Sequence, residues 1–342
     1  MKIKLGIFNW LIYWSNIIVA FLLLLTFLVP YLAPKSFPNL SLLSLVVSPL
    51  IFINFLFFIY WLFKIKSNAF ISLIMILLAY FHFGSFFNLS TKQPKLTSQN
   101  QLTIFSFNVR LFNFYETKDS QKNIPKIMQS YLKKVKPDVL CLQEFNKNMK
   151  IDFSEYPHHY KYFKNKNILG HAIYSKYPLI NTHSFNFKDS YNNTIVADVI
   201  RGSDTIRVYN LHLQSFSIPP SMKYLQEVDN EVLRKRVSTR FIKQQNQVDE
   251  ILQHKNKSIF PVIISGDFNN TAFSYIYHQL SKDMNDAFLI AGSGIGTTFV
   301  FENYPMRIDY LLATKDLKVL DYTTFKNTFS DHYPISATFG WD

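Results

Sequence analysis

The chain has 342 residues and a formal net charge of +13; 48% of its residues are hydrophobic and only 17% are charged. So apolar a chain can bury a core, which excludes intrinsic disorder. A single cysteine, Cys141, excludes an intramolecular disulfide framework and any Cys-rich zinc site.

The charge is uneven. The first hundred residues hold seven lysines (Lys2, Lys4, Lys35, Lys64, Lys66, Lys92 and Lys95) and no carboxylate, because Glu116 is the first acid. Seven of the thirteen surplus charges therefore lie there, and the high isoelectric point is weak evidence for nucleic-acid binding. Between these lysines run long uncharged apolar stretches, and a bilayer crossing takes about 20 such residues. The sequence predicts transmembrane helices at 8–30, 41–62 and 69–88. The first stretch is longer than the apolar core of a cleaved signal peptide. His82, without a charged neighbour, reads as an interfacial or helix-packing residue. Lysine placement puts Lys2, Lys4, Lys64 and Lys66 on the cytoplasmic side. The 31–40 connection and everything after residue 90 would then lie outside, periplasmic in a bacterium. The polar segment 91–101 reads as a linker.

From residue 102 the pattern alternates strand and helix. LTIFSFNV is a short β-rich run, followed by a helical stretch at Ile124–Val135 and a second buried strand, DVLCLQE. AIYSKYPLI, TIVADVI and TIRVYNLHL are further strands. Residues 225–254 carry apolar positions at helical spacing with charge on the other face. PVIISGDFN, RIDYLLAT and YPISATFG complete the set, and no internal repeat is visible.

These strands end in side chains suited to metal or phosphate: Asn108, Glu144, His212, Asp267 with Asn269, Asp309, and Asp331 with His332. A carboxylate directly after an apolar run costs desolvation unless something compensates it, and one divalent cation compensates several. Glu144 and Asp331 are hard oxygen ligands and Asn108 adds a neutral one, which favours Mg²⁺, or Mn²⁺, over Zn²⁺. Phosphodiester hydrolysis needs a positioned water, a group to deprotonate it, and positive charge at the phosphorane. Each motif alone has an ordinary explanation, such as an Asx-turn for Gly-Asp-Phe-Asn. Six of them in order are not six unrelated turns.

The runs Phe107-Asn108-Val109-Arg110, Gln143-Glu144, Asn210-Leu211-His212, Gly266-Asp267-Phe268-Asn269, Arg307-Ile308-Asp309-Tyr310 and Ser330-Asp331-His332-Tyr333-Pro334 resemble the ordered motifs of the endonuclease/exonuclease/phosphatase superfamily. This DNase I-like group also contains abasic-site endonucleases, inositol polyphosphate 5-phosphatases and neutral sphingomyelinases. The resemblance implies an α/β (α+β) four-layer sandwich over residues 102–342, two mixed β-sheets face to face with helices outside. It implies Glu144 as the main Mg²⁺ ligand, assisted by Asn108 and Asp331. It implies that Asp309 orients His332, that Asp267 positions or deprotonates the attacking water, and that Asn269 and His212 contact the phosphate. One departure stands out: the glutamate that partners the matching histidine in DNase I-like nucleases is missing, since no Asp or Glu lies between Glu155 and Asp189. The expected function is a membrane-anchored Mg²⁺-dependent phosphodiesterase, first of all a nuclease, with phospholipid headgroups or phosphomonoesters as the alternative. The complete set of motif residues argues against a silent binding module, and no protein partner can be inferred. A solvated face or a phosphate-backbone contact both fit the basic residues Arg234, Lys235, Arg236, Arg240 and Lys243 of the long helix.

Overall fold

The computed structural model describes residues 6–84, 88, 98–117, 121–164 and 167–342. The N-terminal region is three apolar helices: α1 (Ile7–Thr26), α2 (Val47–Phe63) and α3 (Ala69–Phe83). With the turn Val29–Tyr31, α1 forms a 25-residue apolar segment, and among the described residues it alone is long and apolar enough to cross a membrane. The second predicted crossing is broken. Residues Leu40–Leu45 form a 3₁₀ turn whose Ser41 and Ser44 hydroxyls bond back to main-chain carbonyls, and α2 begins at Val47 because Pro49 is tolerated only in a first turn. The third predicted crossing stops at Phe83, where Gly84 takes φ 71°. Its continuation over 85–87, and residues 91–97 of the predicted linker, lie outside the described residues. Within the bundle Asn16 Nδ2 donates to Ser72 Oγ at 2.7 Å, and His82 stacks on Phe27. Phe8, Trp10, Phe21, Phe52, Phe55, Phe70 and Phe81 remain exposed on its outside.

The remainder is the expected sandwich. The first sheet contains β1 (Asn100–Asn108), β2 (Val139–Asn146), β3 (His158–Phe163), β4 (Leu169–Ser175), β13 (Lys318–Thr324) and β14 (Ile335–Trp341), in the order β13-β14-β1-β2-β4-β3. The second contains β5 (Leu179–Ser184), β6 (Thr194–Arg201), β7 (Asp204–His212), β8 (Val262–Asp267), β9 (Met284–Asp286) and β12 (Asp309–Thr314), in the order β5-β6-β7-β8-β12-β9. A separate hairpin joins β10 (Phe299–Phe301) to β11 (Tyr304–Met306). Both sheets are mixed: β1–β2 and β7–β8 are parallel, and the other pairs are antiparallel. The run AIYSKYPLI is two strands, because Pro178 cannot donate to a ladder and the chain leaves one sheet there for the other.

Three apolar layers hold these sheets. Between them lie Leu102, Ile104, Val139, Cys141, Ile173, Val208, Ile263, Leu311, Ala337 and their neighbours. Outside the first sheet, Phe105, Phe107 and Leu142 pack on the helix Ile124–Val135. Outside the second, Tyr209, Leu211 and Ile264 pack on the helices Asn230–Lys255 and Tyr275–Ser281. The alternation of strand side chains then decides where chemistry can sit. Inward-facing positions run from aliphatic at one end of the sandwich, through Ser106, Gln143, His171, Asn210 and Ser265, to Asn108, His212, Asp267 and Asp309 at the other. Asn210 crosses between the sheets with its own carboxamide fully bonded: its Oδ1 accepts from Gln143 Nε2 at 2.7 Å, and its Nδ2 donates to the carbonyls of Leu142 and Ala172, each at 3.0 Å.

Candidate active site

Two local backbone devices build the polar end. Gly266 precedes Asp267 at φ 130°, and a Cβ there would lie 2.1 Å from the Leu211 carbonyl oxygen of the parallel neighbour β7. Only glycine lets the two strands close so that His212 and Asp267 stand in register. On β2 the register with β4 shifts between Leu142 and Phe145, so Gln143 and Glu144 together face His171. Glu144 takes φ 49° in this bulge, and its carboxylate turns into the site. Asn269, two residues after Asp267, also has positive φ, at 49°. Such non-glycine residues are strained, and strain of this kind collects at functional sites.

All eight residues singled out from the sequence meet at this end. Asn108 Nδ2 donates to Asp267 Oδ2 at 3.0 Å and to Glu144 Oε1 at 3.3 Å. Asp309 faces His332 Nδ1 at 2.9 Å and is itself held by the Thr298 hydroxyl, which accepts its main-chain N–H. His332 Nε2 lies 3.7 Å from Asp267 Oδ2. The main-chain N–H of Asn269 donates to Asp267 Oδ1 at 2.7 Å, and its side-chain amide donates to Asp267 Oδ2 and to the Leu213 carbonyl. Asn269 thus fixes Asp267. His212 Nε2 stands 3.6 Å from both Glu144 and Asp267. Asp331 lies at the rim, where Arg110 Nε approaches it at 3.7 Å while Arg110 also bonds Glu116.

Where the missing glutamate would stand, the neighbours of His212 are neutral. His212 Nε2 is 2.8 Å from the Asn192 amide, and its ring lies edge-on to that of His171. Neither Asn192 nor His171 was legible beforehand: each sits in a strand or turn without a distinguishing motif. Thr298 was missed for the same reason.

Burial sets the electrostatics. It pushes Glu144 up, with Asp331 adding to the effect, and it pushes Asp267 up to about 7. Burial alone would lower His332, but Asp309 and Asp267 outweigh it and push the imidazole up to about 10. His212 is driven well below its ordinary value by burial, with His171 and His332 assisting. Asp267, Asp309 and His332 form a buried group whose donor atoms lie within 4.8 Å of one another and could bind a metal ion. Desolvated carboxylates held close together are a donor set that a divalent cation satisfies.

A four-layer sandwich with carboxylates and imidazoles converging at its strand ends defines a hydrolase acting on phosphoric esters. The chain belongs to the Endonuclease/Exonuclease/phosphatase family, whose model matches residues 105–332. That family is as a rule dependent on divalent metals. Residues 9–86 match a second model, a domain of unknown function (DUF8431). No curated protein matches the chain significantly. Among solved structures it is similar to an endonuclease/exonuclease/phosphatase from Bacteroides vulgatus at 18% identity, covering 71% of this chain and 100% of that one with a TM-score of 0.53. It is also similar to C. elegans TDP2 at 21% identity, covering 71% and 76% with a TM-score of 0.51. The human Nocturnin catalytic domain, solved with a bound sulfate anion, matches at 15% identity over 72% and 97% with a TM-score of 0.52. At these identities the likeness shows the fold.

Proposed function

We propose that this protein is a membrane-anchored, Mg²⁺-dependent phosphodiesterase, with nucleic acid as the first substrate to test. The observation that carries the reading is the convergence of Asn108 and Glu144 from one sheet with His212, Asp267 and Asp309 from the other, capped by His332. Glu144, Asn108 and Asp331 would hold the cation, which supplies positive charge to the phosphoryl oxygens. Asp267, kept partly protonatable by burial, positions and deprotonates the attacking water. His332, held as an imidazolium by Asp309, supports the charge that develops on phosphorus-bound oxygen. His212, neutral, contacts the phosphate, and Asn269 holds Asp267 in place. The water oxygen bonds to phosphorus, one ester oxygen leaves, and the water's proton ends on that leaving alcohol.

The basic helix supports nucleic acid less than its composition promises. Arg234 bonds Glu231 and Asn39, Arg236 bonds Tyr224, and Lys243 bonds the Asp189 carbonyl. A second reading, a phospholipid headgroup, is favoured by the docking of the site onto the bundle. Thr271, four residues from Asp267, donates to the Ser44 carbonyl at 3.0 Å, and Phe273 enters the bundle's apolar cluster. Four residues reach at most about 14 Å, so the site is held close to the end of the bundle.

Anchoring rests on the exposed apolar faces of all three helices. At 1.5 Å per residue, α2 and α3 are shorter than the roughly 30 Å hydrocarbon core, a deficit that local thinning of the bilayer can accommodate. The 31–46 connection contacts the catalytic domain through Lys35–Asp249 at 2.6 Å and Asn39–Ser238 at 2.9 Å. Lys64 and Lys66 sit at the opposite end of α2, which by the lysine rule supports an extracytoplasmic catalytic domain.

The test uses full-length protein in detergent, with and without Mg²⁺, beside His332→Ala. Nicking of supercoiled plasmid that needs both the metal and His332 supports the nuclease. Release of phosphorylated headgroup from phospholipid vesicles without nicking supports the second reading. Turnover of neither substrate by folded protein sinks the proposal.

A further inference from the structure

One rung beneath the reacting groups lies an imidazole that the reaction above does not use. His171 sits on β4 opposite the two-residue bulge of Gln143 and Glu144. It is 2% exposed, and neither ring nitrogen has a hydrogen-bond partner among the described residues. Its ring centroid is 5.6 Å from that of His212, at an interplanar angle of 65°. Beside it, Gln143 directs its amide nitrogen to Ser106 Oγ, the Cys141 carbonyl and Asn210 Oδ1, while its Oε1 is buried without a partner. Three polar atoms on one inner rung are thus desolvated together, next to a histidine of the site.

Apolar side chains would fill this rung at no such cost, as Ile173 and Cys141 do one rung below. Buried polar atoms without a protein partner are the usual seats of an ordered internal water, which takes two to four hydrogen bonds. Burial drives the His171 imidazole down to about 3, so it is neutral and offers one donor and one acceptor. A neutral imidazole and a carbonyl oxygen are complementary to water, which can donate to an oxygen or bare ring nitrogen and accept from a ring N–H.

We infer that His171 is a positioning residue: with Gln143 Oε1 it holds a buried water that bonds the ring of His212 and sets its orientation and tautomer. The ring nitrogen of a histidine that faces a ligand is governed by the bond that its other nitrogen makes. The missing acidic partner of His212 is thereby replaced by neutral groups: Asn192 on one side and the His171 water on the other. This inference rests on the assignment of His212 to the phosphate.

The experiment measures Mg²⁺-dependent hydrolysis of bis(p-nitrophenyl) phosphate by the full-length protein in detergent. Its variants are His171→Leu, His171→Met, His171→Gln and His332→Ala. Loss of turnover in His332→Ala, with a wild type that turns over, establishes the site. Activity in His332→Ala, or an inactive wild type, overturns the site and this inference with it. Given the site, both apolar variants at position 171 should lose about ten- to hundredfold in kcat with KM unchanged. Their thermal midpoint should not fall, since a desolvated polar group has been removed. The amide of His171→Gln can donate and accept, and should restore most of the rate. Wild-type kcat in either folded apolar variant, or a His171→Gln protein as slow as His171→Leu, overturns the inference while leaving the site intact.

Discussion

Glu144 and Gly266 carry opposite lessons about single residues. Gly266→Ala would set a Cβ against the Leu211 carbonyl at a backbone angle that alanine avoids. We expect a loss of about 2–4 kcal/mol in unfolding free energy, read by denaturant titration, together with loss of turnover. Glu144 is a half-buried, strained carboxylate that the fold does not need. Glu144→Asn keeps a residue that tolerates positive φ and removes the charge. It should be inactive yet melt at or above the wild-type temperature; a lower midpoint would mean that Glu144 stabilises the native state. His332 predicts a pH response in EDTA. Its pKa is raised from 6.5 to about 10 in the folded protein. The stabilisation is therefore complete below 6.5 and is lost as pH rises through about 10, by at most about 1.4 kcal/mol per pH unit. His332→Asn should flatten that alkaline limb in a series of urea melts. At this scale the sequence was informative where a side chain ends a strand, as with Asp267 and Asp309. It was silent on Asn192, His171 and Thr298, because their roles come from which other strand they face.

At the scale of elements, the bulge in β2 and the segment 269–275 do most to place the chemistry. The segment leaves Asp267, fixes it through Asn269, bonds Ser44 through Thr271 and buries Phe273 among the helices. Two contacts in this docking differ greatly in weight. Lys35–Asp249 joins side chains that are 43% and 48% exposed, so removing it should change stability by less than about 1 kcal/mol. Phe273 is 7% exposed, and Phe273→Ala should cost about 3–5 kcal/mol. Thermal melts of Lys35→Ala and Phe273→Ala in the same detergent check both, and an equal loss in the two would show that the ion pair is shielded from solvent. Strand positions were readable from apolar runs and their polar ends. The break of the second apolar stretch was not, since hydropathy averages over Pro49 and the two serines that bend the chain there.

For the whole molecule, the membrane anchoring proposed above predicts that the catalytic domain faces the side opposite Lys64. Cys141 is fully buried, so introduced cysteines report without background. Lys150 is exposed on the domain, and Lys64 is exposed at the far end of α2. With an impermeant maleimide on intact cells, Lys150→Cys should label and Lys64→Cys should not; the reverse pattern would turn the topology over. The layered fold was legible through the resemblance that the ordered motifs carry; the strand and helix patterns marked the elements, not their arrangement. The interlock of bundle and sandwich was not legible, because contacts such as Asn39 with Ser238 join residues about two hundred positions apart.

The cross-sheet bonds of Asn210 have a mechanical meaning. Aliphatic surfaces pressed together resist separation but tolerate sliding, since one methyl group is as good a neighbour as the next. The catalytic groups come from both sheets, so a slide of one ångström would pull Glu144 away from His212 without exposing any core. Three directional bonds from a single carboxamide forbid that slide, as a dowel fixes two plates already clamped. An aliphatic residue in place of Asn210 should therefore leave a folded, compact protein whose two half-sites no longer share one alignment.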